Sequence, residues 1–124
     1  MAEGRLRRAF RRFTADETDL VAQDLYEVCD AVGATHIADA PRRQTTRIAG
    51  VVRGVTLRPL GGVPALEADL FDGTGSVDVV WLGRRRIAGI DPGTQLIAEG
   101  RIGQQRGRQI MFNPAYTLLP RKGA

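Results

Sequence analysis

The stretch from Phe71 to Ile90 reads F-D-G-T-G-S-V-D-V-V-W-L-G-R-R-R-I-A-G-I, and it decides how the chain folds. It predicts the end of one β-strand, a tight turn, and a second strand that carries the single tryptophan. Asp-Gly and Thr-Gly pairs favour the turn because they tolerate the positive φ angles of a hairpin. The alternation after the turn predicts a half-buried strand with Val77, Val79 and Trp81 on its inner side. Three consecutive arginines, Arg84 to Arg86, follow that strand.

Further strands are predicted on both sides of this hairpin, and each is bounded by turn residues. In the first strand the inward phase changes near Gly54, where a bulge lets one long strand curve through two halves of a barrel. Five curved antiparallel strands and a tight final hairpin favour a small Greek-key barrel of the OB type. We therefore predict a mainly β fold, a five-stranded Greek-key OB barrel with an N-terminal α-helix. The predicted strands cover 46–58, 65–71, 76–82, a fourth around 96–102, and 108–112 continuing to Leu118.

A helix is predicted before the strands. Thr14 and Glu17 have the spacing of a capping box, and an apolar stripe follows that ends at Gly33. Cys29 lies in this stripe, so we expect a buried structural thiol. Before the helix, residues 4–13 place Leu6, Phe10 and Phe13 at helical spacing with arginines on the other faces, which is typical of a basic amphipathic helix. A poorly ordered arginine-rich tail is the alternative that so short a segment favours.

These patterns divide the chain into five parts. They are a basic N-terminal segment at 1–13, an amphipathic acidic helix at 14–33, a linker at 34–45, the OB-fold barrel at 46–119 and a tail at 120–124. The charge follows the same division, because residues 1–13 hold five arginines and residues 16–30 hold six acids without a base. From residue 46 to residue 122 there are eleven basic residues and six acidic ones.

Composition limits the classes of function. The 124 residues suit one modest domain, and no apolar run approaches the roughly 18–20 residues that cross a bilayer. We expect a cytoplasmic protein without membrane insertion, because the N-terminus lacks the apolar region of a secretory signal. The single cysteine cannot form an internal disulfide, and one cysteine with one histidine does not make a cluster of metal ligands. We therefore expect no bound metal and no cofactor. The net charge of +4 favours a polyanionic partner.

The order of several short motifs resembles that of an OB-fold nucleic-acid-binding domain, and most of all the wedge domain of RecG-type helicases. The matching residues are D-G-T-G at 72–75, V-D-V-V-W-L at 77–82, P-G-T at 92–94 and F-N-P-A-Y at 112–116. The D-G-T-G-S-V run also resembles the OB domains of replication-protein-A-like single-strand binders. The likeness covers roughly residues 46–119 and includes none of the helicase motor motifs. The whole chain is similar to a stand-alone actinobacterial-type OB protein with an N-terminal helix.

The resemblance implies a non-catalytic module that binds nucleic acid, with single-stranded or junction DNA favoured over RNA. The resemblance places stacking aromatics near the end of strand three, where this chain has Leu82 and Arg86. Outward carboxylates at Glu67, Asp69 and Asp78 would repel phosphates unless arginines such as Arg53 neutralise them. Loops one–two and four–five flank the groove of OB folds, so arginines beside them are candidates. The predicted binding residues are Arg53, Arg58, Arg84, Arg85, Arg86, Arg101, Arg106, Arg108, Trp81 and Tyr116.

The sequence leaves three other functions open. OB barrels also serve as protein-interaction domains, and the acidic helix at 14–33 is a candidate surface for a protein partner. That helix is also a candidate inhibitor that occupies the basic groove. Catalysis is the least expected class, because no nucleophile–base pair or phosphate loop is visible. Asp69, Asp72 and Asp78 can be drawn as a metal-binding set, but the turn explains Asp72 and strand alternation explains the other two.

Overall fold

The computed structural model of the protein describes residues 24–120. The predicted basic segment at 1–13, the predicted capping box at Thr14 and residues 121–124 of the predicted tail lie outside the described residues. Residues 24–31 form a helix, α1, and a 3-10 turn follows at Ile37–Asp39. The strands are β1 (Thr45–Leu60), β2 (Val63–Phe71), β3 (Ser76–Leu82), β4 (Gln95–Gln105), β5 (Arg108–Phe112) and β6 (Ala115–Leu118).

The strands form one sheet that closes on itself. The order is β1-β2-β3-β5-β4, and β1 pairs with β4 as well, so these five strands make a closed ring. All pairs are antiparallel except β3 with β5, which run parallel over three residue pairs. The sixth strand, β6, pairs with β4 beside β5 and continues its line after Asn113 and Pro114. The described chain is therefore mainly β and OB-like, as the sequence predicts.

The long strand β1 reaches both neighbours because it bends at the predicted bulge. It pairs with β4 through residues 45–51 and with β2 through residues 51–60. The register with β2 shifts between Val52 and Gly54, which leaves Arg53 as the extra residue. This confirms the prediction from Gly54. A second glycine, Gly50, is needed for close approach, because a Cβ there would lie 2.5 Å from the Phe71 carbonyl oxygen.

The core fills the inside of the ring with residues that the alternation places there. Val77 and Val79 are fully buried, and Leu66 and Trp81 are almost so. After the phase change near Gly54, the alternation predicts that Val55 and Leu57 share the second phase and face inward, but Leu57 is 51% exposed. It lies on the part of β1 that pairs only with β2, beyond the reach of β4. The other large core side chains are Ile37, Ile48, Val52, Leu70, Ile87, Ile90, Leu96, Ile102 and Met111.

The segment predicted as a linker is packed onto the first hairpin. Ile37 is fully buried in the core, and its N–H donates to Asp72 Oδ2 at 2.8 Å. The other oxygen of Asp72 accepts from the N–H and hydroxyl of Thr74, at 2.9 and 2.7 Å, and from the N–H of Gly75 at 3.1 Å. Asp72 is itself fully buried. One carboxylate therefore holds both the turn and the incoming chain.

Helix α1 lies against the β1 and β4 side of the ring. Leu25 and Cys29 are buried, which confirms the structural thiol, and burial raises the pKa of Cys29 to about 11. Arg47 of β1 donates from Nη1 to the Val32 carbonyl oxygen at 3.1 Å, where the helical turns end. In the part of the chain that the structure describes, no helix has the length and apolar character to cross a bilayer.

Candidate nucleic-acid interface

The outer surface of β2, β3 and β5 is formed by the residues of these strands whose side chains point away from the core. We call it the β2–β3–β5 face and define it by Glu67, Asp69, Asp78, Ile110 and Phe112. The register places Asp69 opposite Asp78 and Asp78 opposite Ile110. One step along, Val80 lies between Glu67 and Phe112. The face therefore has carboxylates on β2 and β3 and apolar side chains on β5.

Each carboxylate of this face is paired with an arginine. Arg108 binds Asp78 at two points, from Nε to Oδ2 at 2.7 Å and from Nη2 to Oδ1 at 2.8 Å. The Arg53–Asp69 and Arg58–Glu67 pairs have N–O distances of 3.0 and 3.2 Å. The centre of the face is therefore close to neutral. Neutralisation by Arg53 was expected, and Arg58 and Arg108 extend it to the whole set.

The two best-held arginines of these pairs are fixed by more than one contact. The hydrogen bond and charge of Asp78 raise the pKa of Arg108 above its ordinary value. The guanidinium of Arg53 lies 4.5 Å from the centre of the Phe71 ring, close enough for a cation–π contact. Three predicted phosphate contacts, Arg53, Arg58 and Arg108, are therefore already engaged with carboxylates.

The other predicted arginines have no ion pair within residues 24–120, and all of them are exposed. Arg84, Arg85 and Arg86 occupy the loop after β3, Arg101 lies on β4, and Arg106 lies in the turn between β4 and β5. Arg106 has a φ of 54°, as a tight hairpin turn requires. These five positive charges lie at the edges of the neutral face. The predicted phosphate-binding arginines thus form two groups, those paired with carboxylates and these five, and only these five are available to bind phosphate.

A shallow groove lies beside the turn between β1 and β2. Its volume is about 310 Å³, and Arg58 and Arg85 both line it together with apolar side chains of the turn. Leu57 and Val63 are the exposed apolar residues among them. The structure thus brings together two predicted arginines that are 27 positions apart in sequence. Neither Arg84 nor Arg86 lines this groove.

A second groove lies along the hairpin of β4 and β5, and we call it the Gly103 groove. It has a volume of about 470 Å³, and its floor lacks a side chain at Gly103. Ile110 and Phe112 supply apolar surface, and Phe112 is 41% exposed. Arg43 and Arg101 line the same groove. Neither arginine has an ion pair within the described residues.

Sequence reasoning missed Arg43 and Phe112. Arg43 belongs to the predicted linker, but its N–H donates to the Ile102 carbonyl oxygen at 2.7 Å and fixes it beside β4. Its φ of 63° is unusual for a residue other than glycine, and such backbone often occurs at functional sites. The signal for Phe112 was present, because alternation from the buried Met111 points the next residue outward.

The two predicted aromatic contacts do not lie on the β2–β3–β5 face. Trp81 is 5% exposed, and its Nε1 donates to the Pro114 carbonyl oxygen at 3.3 Å. The edge-on ring of Tyr116 lies 5.6 Å away. Trp81 therefore belongs to the core, as its phase predicts, and no face of its ring is open for stacking. Tyr116 is exposed on β6, which pairs with β4.

The carboxylates Asp69, Asp72 and Asp78 do not converge on one point. Asp72 is buried in the turn, while Asp69 and Asp78 each bind an arginine. Within residues 24–120 no three side chains of His, Cys, Asp or Glu come together as metal ligands do. The chemistry that the face offers is charge pairing, apolar contact and ring stacking.

Comparison with solved structures finds the same fold elsewhere. The structure of RecG bound to a three-way DNA junction superposes with a TM-score of 0.58 and 17% sequence identity. The match covers 72% of this chain and 13% of the RecG chain. The OB-like fold predicted from the sequence thus has a solved counterpart. No family model matches the chain, and no curated protein matches its sequence.

Proposed function

We propose that this protein is a nucleic-acid-binding OB module without chemistry of its own. One observation carries the proposal. The carboxylates of the β2–β3–β5 face are neutralised by Arg53, Arg58 and Arg108, while exposed arginines without carboxylate partners in the described chain lie at both edges of that face. Phosphate binding requires such available positive charge, and OB domains bind along this face and its flanking loops.

Single-stranded or junction DNA is the ligand that this surface supports best. Arg85 lies at one edge of the face and Arg101 at the other, with a nearly neutral strip between them. The two arginines can hold the phosphates of a nucleic-acid strand that crosses this strip. Exposed Phe112 adds an aromatic surface of the kind on which bases stack. The likeness to RecG, solved on a three-way DNA junction, supports the same class of ligand.

A binding panel tests the proposal. Fluorescence anisotropy with single-stranded, duplex and forked DNA and with RNA, each across a salt series, measures affinity and its dependence on salt. We expect micromolar or tighter binding to single-stranded or forked DNA that weakens steeply as salt rises, because phosphate contacts release counterions. Absence of salt-dependent binding to every ligand at low micromolar protein would refute the proposal.

A protein-interaction function is the second candidate, and a groove beside α1 favours it. Glu27 and the apolar Val28 line this groove, with Leu119 and Pro120 on its other side. It includes Gln95 at the start of β4, whereas the Gly103 groove is lined by the end of β4 and by no residue of α1, so the described helix does not cover that arginine-lined groove. An acidic and apolar groove suits a basic, amphipathic segment of a partner.

A charge change separates the two candidates. Glu27→Lys reverses one of the two carboxylate charges, Asp24 and Glu27, that line the groove beside α1, and it leaves the buried Leu25 and Cys29 unchanged. If the adaptor function is real, this variant loses a protein partner that the wild type binds, and its affinity for DNA is unchanged. Unchanged binding of that partner would count against the adaptor function.

A further inference from the structure

We propose that the Gly103 groove is a binding site for one unpaired nucleobase, with the adjoining phosphates held by Arg43 and Arg101. The inference rests on the proposed function and deepens it, since it assigns single-stranded nucleic acid as the ligand of this groove. Duplex DNA is not expected to enter it, because stacked and paired bases do not present their faces.

The groove has the surfaces that a base requires. The side chains of Phe112 and Ile110 project from alternate positions of β5 and form an apolar wall. Gly103, opposite Ile110, leaves the floor open: a Cβ there would meet nothing closer than Ile110 Cγ2 at 3.9 Å. Every base has an apolar face, so a site built this way accepts different sequences.

The charge of the groove suits the phosphates on either side of such a base. Arg43 and Arg101 both line it, and both guanidinium groups lack an ion pair within residues 24–120. Arg43 is held in place through its backbone, by the N–H bond to Ile102 at 2.7 Å. The backbone end of the Arg43 side chain is therefore held in place, while its guanidinium group remains available to contact a phosphate.

Two substitutions remove the base site while sparing the fold. Gly103→Val fills the floor, and because the site is open in a strand we expect a melting temperature equal to or above that of the wild type. Phe112→Leu keeps apolar bulk but removes the aromatic ring. Phe112→Trp keeps an aromatic ring and adds a fluorescent reporter, and the buried Trp81 should change little on binding.

The measurement compares an oligothymidylate with an abasic oligomer of the same length. Base stacking is worth about 1–3 kcal/mol, so the wild type should prefer the base-bearing strand by roughly five- to 150-fold. Gly103→Val and Phe112→Leu should lose that preference and bind both strands as the wild type binds the abasic one. Phe112→Trp should keep it, with fluorescence of the introduced indole quenched by the base-bearing strand alone.

A separate pair of variants tests the arginine contact. Arg43→Gln should weaken binding of both strands equally and reduce the salt dependence, and Arg42→Gln is the matched control because Arg42 is exposed and does not line the groove. If the wild type binds DNA but shows no preference for the base-bearing strand, or if Gly103→Val and Phe112→Leu retain the preference, this site is refuted. If the wild type binds neither strand, the proposed function itself fails.

Discussion

Arg108 and Asp78 hold each other at two points across the parallel pair of β3 and β5, at 2.7 and 2.8 Å. Bidentate pairs of this kind are more specific in geometry than a single contact. The bond cancels a carboxylate in the middle of the face that we propose for nucleic acid. The same bond also keeps one arginine away from phosphate, so removing the negative charge should change binding in a defined direction.

Asp78→Asn should tighten binding to single-stranded DNA. The change removes one negative charge from the face and frees Arg108, which we expect to raise affinity by about three- to tenfold, ~0.7–1.4 kcal/mol. Anisotropy titrations across a salt series measure both the affinity and its slope, and the slope should steepen by about 0.7 for one added phosphate contact.

The control is Glu99→Gln, which opens the Arg47–Glu99 pair on the side of the ring where α1 lies. It alters net charge by the same amount and should leave affinity within about twofold at moderate salt, where distant exposed charges are screened. Equal tightening by both variants would mean that net charge alone, and not the β2–β3–β5 face, governs binding.

Asp72→Ala should be the most destabilising polar substitution in the described chain. It leaves the N–H groups of Ile37, Thr74 and Gly75 without their acceptor, and each unsatisfied buried group costs about 1–3 kcal/mol. We expect a loss of about 3–5 kcal/mol in the free energy of unfolding, measured by urea denaturation. Asp39→Ala, an exposed change in the same segment, should cost under about 0.5 kcal/mol.

Two glycines of β1 should respond to alanine in opposite ways. At Gly50 a Cβ would lie 2.5 Å from the Phe71 carbonyl oxygen, so Gly50→Ala should cost more than about 2 kcal/mol. At Gly54 nothing lies within 4 Å, and Gly54→Ala should be neutral or stabilising by about 0.4–1 kcal/mol. Thermal melts of the two variants decide this. A similar loss at both sites would show that β1 does not approach β2 as described.

Cys29 gives a pH dependence with a known sign. Burial, with smaller effects from Asp72 and Asp30, raises its pKa from 9.0 to about 11, so the thiol stays protonated longer in the folded state. Its contribution to stability is therefore full below pH 9 and is lost as pH rises from about 9 to 11. Wild-type stability should fall across that window more steeply than that of Cys29→Ala. Identical pH profiles for the two proteins would contradict the burial of this thiol.

Reactivity offers an independent check on the same residue. A buried thiol with a raised pKa is a poor nucleophile, so alkylation at about pH 8 should be slow in the native protein and fast in urea. Rapid native alkylation would mean that α1 does not bury Cys29 against the strands.

Local patterns in the sequence predict the strands and the core. Alternation predicts the burial of Val77, Val79 and Trp81 because a strand turns successive side chains to opposite sides. Gly54 predicts the bulge because it is the place where the inward phase changes. The exposure of Leu57 could not be predicted in this way. It depends on how far β4 extends along β1, and the sequence of β1 does not indicate that length.

Non-local contacts decide the site, and the sequence does not contain them in readable form. Whether Arg108 is available for phosphate depends on the parallel register of β3 and β5, which brings it to Asp78. Arg43 follows Pro41 in a stretch that has the pattern of a linker, and only its bond to Ile102 makes it part of a groove. The three arginines of the loop after β3 could be predicted as binding residues from the sequence, because no long-range ion pair decides whether they are available.

The most direct test is the salt dependence of single-stranded DNA binding in the wild type and in an Arg85→Gln, Arg101→Gln variant, with Arg42→Gln as the control. The two changed residues line grooves at opposite edges of the face. Because the double variant can bind two fewer phosphates, the slope of log K against log salt should become shallower by about 1.4, and affinity should fall, while the control matches the wild type. A wild type that shows no salt-dependent binding, or a double variant with an unchanged slope, would contradict the account.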